Sequence, residues 1–270
     1  MTGAAHGKLA LITGASAGIG AAFARAYAAR GFDLALVARR VDRLEALAAE
    51  LSARHGIEAF AIGADLAAFE AQAPVLAAVA ERGRVVDALV NNAGFGITQS
   101  FAGVPWARQR DFLMTLAVTP CALSHAVIPG MIERGDGAII NIASVAGYAP
   151  GVAGNTLYPA VKSLMIKFSQ SLDAEYRAQG LRVTAVCPGT TLSEFAQTAG
   201  IVGRESQKPG FGVMTAEAVV TAALRANDLG KAVVIPGWHN RVAMSLMRAL
   251  PESLVRSIIN TAAARYRPKE

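Results

Sequence analysis

Residues 9–20 read Leu9-Ala10-Leu11-Ile12-Thr13-Gly14-Ala15-Ser16-Ala17-Gly18-Ile19-Gly20, an apolar run that passes directly into a glycine-rich turn. Leu9 to Thr13 has the length and apolar character of a strand buried on both faces. Glycines at 14, 18 and 20 permit a tight turn and let the backbone approach a pyrophosphate closely. A helix beginning at Gly18 offers that anion its N-terminal amides and its dipole. A dinucleotide fits this geometry. The spacing is Gly-x-x-x-Gly-x-Gly, which departs from the more familiar Gly-x-Gly-x-x-Gly fingerprint.

Outward from this turn the chain keeps one rhythm. Short β-type runs at Leu9–Thr13, Leu34–Val37, Ala59–Ile62, Ala88–Asn91, Ala138–Ile142, Val183–Val186 and Ala232–Ile235 alternate with charged or alanine-rich segments long enough to be crossover helices. That alternation predicts an α/β fold: a doubly wound, parallel, seven-stranded sheet of Rossmann type in a three-layer αβα arrangement. No Pro/Ser-rich linker or internal repeat divides residues 1–270, so a single domain is expected. Residues 190–213 break the rhythm with Gly200, Gly203, Pro209, Gly210 and Gly212, and are read as a substrate lid.

The composition, 53% apolar and 17% charged over 270 residues, supplies a large core and excludes a disordered chain. Cys121 and Cys187 lie in apolar segments and read as reduced core thiols, and His6, His55, His125 and His239 lack ligand spacing, so no metal is expected. Met1 to His6 carries neither a charged leader nor an apolar stretch, which predicts a cytoplasmic protein. Phe112 to Ile132 holds no charge. Pro120, Ser124, His125 and Pro129 favour a helix against the sheet or a second subunit over a transmembrane span.

Most of the net charge of +6 comes from the end of the chain, where Lys231, Arg241, Arg248, Arg256, Arg265, Arg267 and Lys269 face only Glu252 and Glu270. Leu254, Val255, Ile258, Ile259, Ala262 and Tyr266 recur there at helical spacing, so 239–270 reads as an amphipathic helical extension. It is either docked with a solvated basic face or in peripheral contact with anionic lipid or an acyl carrier. No nucleic-acid partner is expected.

Tyr158 and Lys162 stand four residues apart, downstream of Ser144, which follows the fifth apolar run. Pro159 marks a first helical turn, with Asn155 as the N-cap. The spacing then puts phenol and ammonium on one helix face. A free tyrosine titrates near ~10, and the adjacent cation of Lys162 is expected to lower that value. With the glycine turn, this pair points to a nicotinamide-dependent oxidoreductase. After the second strand the sequence reads Val37-Ala38-Arg39-Arg40, with no acid to repel a phosphate. Arg39 suits a 2′-phosphate and Ser16 donates a further bond, which favours NADP(H) over NAD(H). Arg40 and Arg43 read as the solvated face of the following helix.

Taken together, Thr13 to Gly20, Asn91-Asn92-Ala93-Gly94, Ser144, Tyr158, Lys162 and Pro188-Gly189 make the chain similar, from Lys8 to Ile235, to the classical short-chain dehydrogenase/reductase family. The resemblance implies that Tyr158 exchanges a proton with the substrate oxygen as hydride crosses to or from nicotinamide, that Ser144 steadies that oxygen, and that Lys162 also holds the ribose. It further implies cofactor contacts at Gly14, Ser16, Ala17, Gly18, Ile19, Gly20 and Arg39; at Asp65 and Leu66, beside the adenine; at Asn92, Ala93 and Gly94, beside the ribose; and at Pro188, Gly189 and Thr191, beside the nicotinamide. Ser193 stands where threonine is more usual. Homodimer or homotetramer formation through the two long helices around Phe112–Ile132 and Tyr158–Tyr176 is implied as well.

One position departs from the family pattern. Ala117 occupies the place of an asparagine whose main chain anchors a water in the proton relay, and the side chain that helps fix that bend is missing. Slower proton exchange is the expectation, and a weakly active or non-catalytic NADP(H)-binding protein is its extreme form. A more remote reading takes Gly14-Ala15-Ser16-Ala17-Gly18 as the G-x-S-x-G elbow of a serine hydrolase with Ser16 as nucleophile, although only Met1 to Thr13 precede it to build an oxyanion hole. The residues expected at the reacting end, Phe95, Ile97, Val145, Tyr148, Val152 and Phe195, imply a hydrophobic carbonyl or secondary alcohol. Steroids, long-chain 3-oxoacyl esters and aromatic or alicyclic ketones remain open, and cofactor preference tilts the direction toward reduction.

Overall fold

A computed structural model describes residues 7–151, 153, 156–192 and 212–264. Seven parallel strands form one sheet: β1 (Leu9–Thr13), β2 (Asp33–Ala38), β3 (Ala59–Gly63), β4 (Ala88–Asn91), β5 (Gly137–Ile142), β6 (Leu181–Val186) and β7 (Val233–Val234), in the order β3-β2-β1-β4-β5-β6-β7. The expected strands differ from these by at most two residues at an end. Every residue of β1, β2, β4 and β5 is buried, which is why these strands read as continuous apolar runs. The edge strand β3 has only Phe60 and Ile62 buried.

Helices cover both faces. Alternate residues such as Ala10, Ile12, Leu34 and Leu36 pack against α1 (Gly18–Ala28), α2 (Val41–His55) and α7 (Ala216–Asp228) through Phe23, Leu44, Leu51 and Val219. The intervening residues Leu9, Leu11, Ala35 and Val37 meet α3 (Gln72–Ala80), α5 (Thr119–Arg134) and α6 (Leu157–Tyr176) through Val75, Leu123, Met131 and Leu172. This is the expected three-layer sandwich. Two further helices, α8 (Trp238–Ala249) and α9 (Glu252–Ala264), follow β7.

At the N-terminal end of the sheet a buried ion pair ties β2 to the turn before β4. Arg84 donates to Asp33 at 2.7 Å and to Glu58 at 2.9 Å, with the Arg84 side chain only 4% exposed. The C-terminal ends of the strands carry the candidate site. Strand order reverses between β1 and β4, and the crevice at such a switch point is where this architecture receives ligands.

The segment Trp106–Arg134 is one continuous helical run, long and apolar enough to cross a membrane, and half of its apolar window is buried in this fold. It comprises α4 (Trp106–Leu113), a π turn at Met114–Val118, and α5. Pro120 has no N–H for the carbonyl of Leu116, so the α ladder is interrupted at that point, and Thr119 instead bonds back to Met114.

Candidate active site

The glycine turn is built as its spacing requires. Gly14 and Gly18 take φ of +67° and +55°, a left-handed backbone that favours glycine. A Cβ on Gly14 would fall 2.8 Å from Nδ2 of Asn92, and one on Gly20 would strike the carbonyl of Gly14. Helix α1 starts without a side-chain cap at Ala17 and without an acidic residue in its first turn. Its amides therefore point at an open mouth suited to an anion.

Thr13 joins this turn to the one after β4. Its Oγ1 accepts from the amides of Asn92 (2.9 Å) and Ala93 (3.1 Å) and donates to Val90 O, while Asn92 Nδ2 donates to Thr13 O (2.9 Å) and Gly14 O (3.2 Å). The Asn92-Ala93-Gly94 turn is thus clamped beside the glycine turn. Ala17 and Ile19 are half-buried on the rim.

The two arginines after β2 are both exposed. Arg40 donates from Nε (3.2 Å) and a terminal nitrogen (2.9 Å) to Ser16 Oγ, a bond not expected from the sequence. Arg40 is the N-cap residue of α2 with φ −87° and ψ 82°, and this bend swings its side chain toward the glycine turn. Asp65 is exposed and accepts from the amide of Ala67, and Leu66 is buried with its carbonyl bonded by Thr119 Oγ1 at 2.9 Å.

Ser144 closes β5 and caps a 3₁₀ turn, Val145–Tyr148, with its Oγ accepting from Ala146 N at 3.1 Å. Its hydroxyl is hydrogen-bonded to that of Tyr158, on the first turn of α6. Lys162, one turn on, is buried with Nζ 5.5 Å from the centre of the Tyr158 ring, and donates to Ile142 O at 2.7 Å. The three candidate catalytic side chains therefore meet.

Their electrostatics correct the expectation. Burial pushes the Tyr158 hydroxyl above its ordinary value, and the bond to Ser144 pulls it back in part. Burial outweighs the cation of Lys162, whose ammonium donates to the Ile142 carbonyl, and burial likewise brings Lys162 itself down to about 8, opposed by Cys187 nearby.

The observed N-cap of α6 is Thr156, and Asn155 lies outside the described residues. Pro188 is buried and accepts from Val145 N, which sets it beside the Ser144 turn. Gly189 packs so closely against Asn240 of α8 that a Cβ would strike its amide, and Thr191 Oγ1 donates to Gly189 O at 3.1 Å.

A cleft opens over Tyr158, lined by Ile97, Gln99, Phe101, Gln109, Phe112, Thr156 and Leu157. Of the expected lining residues, Ile97 is there. Phe95 stands behind it, edge-on to Phe112 at 5.5 Å. Tyr148 packs instead with Met165, Ile166 and Cys187. Val152, Phe195, Ser193 and the lid residues 193–211 lie outside the described residues. Gln99, Gln109 and Thr156 make the wall more polar than expected, and no local spacing marks them.

Comparison with known proteins agrees with this geometry. The family described as short chain dehydrogenase matches residues 8–201. A very-long-chain 3-oxoacyl-CoA reductase of Anas platyrhynchos is 34% identical over 81% of this chain and 68% of its own length. Among solved structures, a short-chain dehydrogenase from Sphingobium yanoikuyae in complex with NADPH is 35% identical, with a TM-score of 0.78 over 91% of this chain and 97% of that one. A bulky-bulky ketone specific alcohol dehydrogenase from Comamonas testosteroni is 32% identical, with a TM-score of 0.74 over 91% and 96%.

Proposed function

The chain belongs to the short-chain dehydrogenase family, and from that premise we propose that it interconverts a hydrophobic ketone and its secondary alcohol with NADP(H), Tyr158 serving as general acid/base. The observation that carries this reading is the meeting of Ser144, Tyr158 and Lys162 beneath a cleft of mixed apolar and polar lining, beside an uncapped helix terminus. The fold's switch-point crevice, the close-packed glycines and the uncapped amides of α1 fit a dinucleotide. Bound there, its nicotinamide supplies or accepts the hydride.

The protein's own groups do the rest. A raised hydroxyl value keeps Tyr158 protonated at neutral pH, ready to give its proton to a carbonyl oxygen in the cleft. Ser144, bonded to Tyr158, offers a second donor to the same oxygen. Lys162 holds positive charge within reach of the phenol as its proton leaves. Arg40 and Ser16, with the exposed Arg39, make a basic edge suited to a 2′-phosphate, and support NADP(H) over NAD(H).

The structural relatives supply support of the same kind, one named for NADPH and one for bulky ketones. Exposed Val118 and Leu164, on the two long helices, support self-association. The hydrolase reading fails at Ser16, since the group bonded to its hydroxyl is a guanidinium, which cannot take the proton of a nucleophile.

Tyr158→Phe tests the proposal. Turnover across a panel of steroid, 3-oxoacyl and alicyclic ketones should fall by roughly 10²- to 10⁴-fold while NADPH still binds. Wild-type rates in that variant would refute it.

A further inference from the structure

The helix after β7 carries an apolar stripe on its outer side. Trp238, Val242 and Leu246 recur every four residues along α8 and are 61%, 50% and 60% exposed, while Leu250, the extended residue that ends α8, and Leu254 of α9 are 40% and 47% exposed. The inward side of the same helix is formed by Met244, 7% exposed, and by Asn240, whose amide donates to Pro236 O at 2.8 Å and packs on Gly189. The stripe is therefore not a core face left open by chance: α8 is already docked through its other side.

Charge identifies what the stripe meets. Residues 231–270 hold seven basic and two acidic side chains, so this end of the chain supplies +5 of the net +6. Arg241 is exposed on α8 next to the stripe. Of the seven, Arg265, Arg267 and Lys269 lie outside the described residues and Arg256 is paired with Glu252, so Arg241 is the basic group that flanks the stripe. An anionic surface answers both features, and tryptophan with leucine beside arginine is the composition of a helix lying in a membrane interface. We propose that α8, extended by the start of α9, is a peripheral membrane-docking surface for anionic lipid, with Trp238, Val242 and Leu246 entering the headgroup boundary. The sequence assigned this role to the amphipathic extension 239–270; within it Val255 is 4% exposed and the α8 stripe faces out, while Tyr266 lies outside the described residues.

The test is sedimentation of the full-length protein with vesicles of phosphatidylcholine alone and with vesicles in which about a third of the lipid is phosphatidylglycerol. Binding to the anionic vesicles only, weakened by salt, is expected. Val242→Ser/Leu246→Ser should lower it about tenfold or more, and Arg241→Gln about fivefold. In a Trp106→Phe background, which leaves Trp238 as the sole tryptophan, emission should shift to the blue on anionic vesicles. Circular dichroism of each variant controls for folding. Equal sedimentation with and without anionic lipid overturns the proposal. So does loss of self-association or of acyl carrier protein binding in Val242→Ser/Leu246→Ser with no vesicle binding in the parent, since the face would then belong to protein.

Discussion

Lys162 sets its buried ammonium on the main-chain oxygen of Ile142, 2.7 Å away, at the end of the strand that also presents Ser144. The charge is held by one carbonyl in a desolvated place, and its ordinary value of 10.5 falls to about 8. A lysine lowered in this way is cationic below about 8 and loses its proton as pH rises through that value. Dinucleotide affinity, measured by fluorescence titration, is therefore expected to stay level on the acid side of about 8 and decline above it. Lys162→Met should bind weakly and show no such bend. A wild-type curve that stays level through the same range would remove the charge of Lys162 from cofactor binding.

Arg40 and Ser16 give the cofactor prediction. Two guanidinium N–H groups already converge on the serine hydroxyl, so the edge where a 2′-phosphate would sit is preassembled. Arg40→Ala is expected to weaken NADPH binding by about tenfold or more and leave NADH nearly unchanged, as loss of a charge-assisted hydrogen bond requires. Arg39→Ala measured beside it ranks the two arginines. If only Arg39→Ala affects NADPH, the bond from Arg40 to Ser16 is a structural tie.

What could be read in the sequence follows from range. Buried parallel strands announce themselves as apolar runs, so β1 and β4 have the expected ends and the other strands lie within two residues of theirs. Tyr158 and Lys162 were legible because four residues is one helical turn, and Ser144 because it ends a strand. The bond from Arg40 to Ser16 depends on one backbone bend at the start of α2, which composition does not encode. The π turn was in principle readable from Pro120, two residues beyond it, and the charge of Lys162 was misjudged because its partner, Ile142 O, is twenty residues away. Gln99 and Gln109 reach the cleft only through tertiary packing.

Gly147 illustrates that last class and yields a prediction of its own. Its backbone lies so flat on α6 that a Cβ would sit 2.7 Å from the carbonyl carbon of Lys162 and 2.8 Å from Ile166 Cδ1. The first neighbour is helix backbone and has little freedom to give. Gly147→Ala should push the Val145–Tyr148 turn off α6 and separate Ser144 from Tyr158, at a cost of about 1–3 kcal/mol in stability. A displacement on the order of 1 Å there is expected to lower kcat by up to about 10²-fold with dinucleotide affinity kept. Unchanged kcat in a destabilised Gly147→Ala would show that the Ser144 bond tolerates the shift.

Ala117 was expected to slow proton exchange for want of an asparagine side chain that fixes the bend. The bend is present without it: Met114–Val118 forms a π turn closed by Thr119 N on Met114 O, and Pro120 supplies a cause that does not depend on residue 117. Ala117 is itself 8% exposed and packs with Phe112, Leu116 and Val161, in the cluster that holds Tyr158. An asparagine here brings an amide into an apolar, filled space, where extra volume typically costs about 1–3 kcal/mol and an unpaired buried amide adds to that. Ala117→Asn is accordingly expected to lower the melting temperature and leave kcat and its pH profile within about twofold of wild type. A clear rise in kcat, or a shifted pH limb, would instead show that the amide completes a proton path that the main chain alone leaves slow.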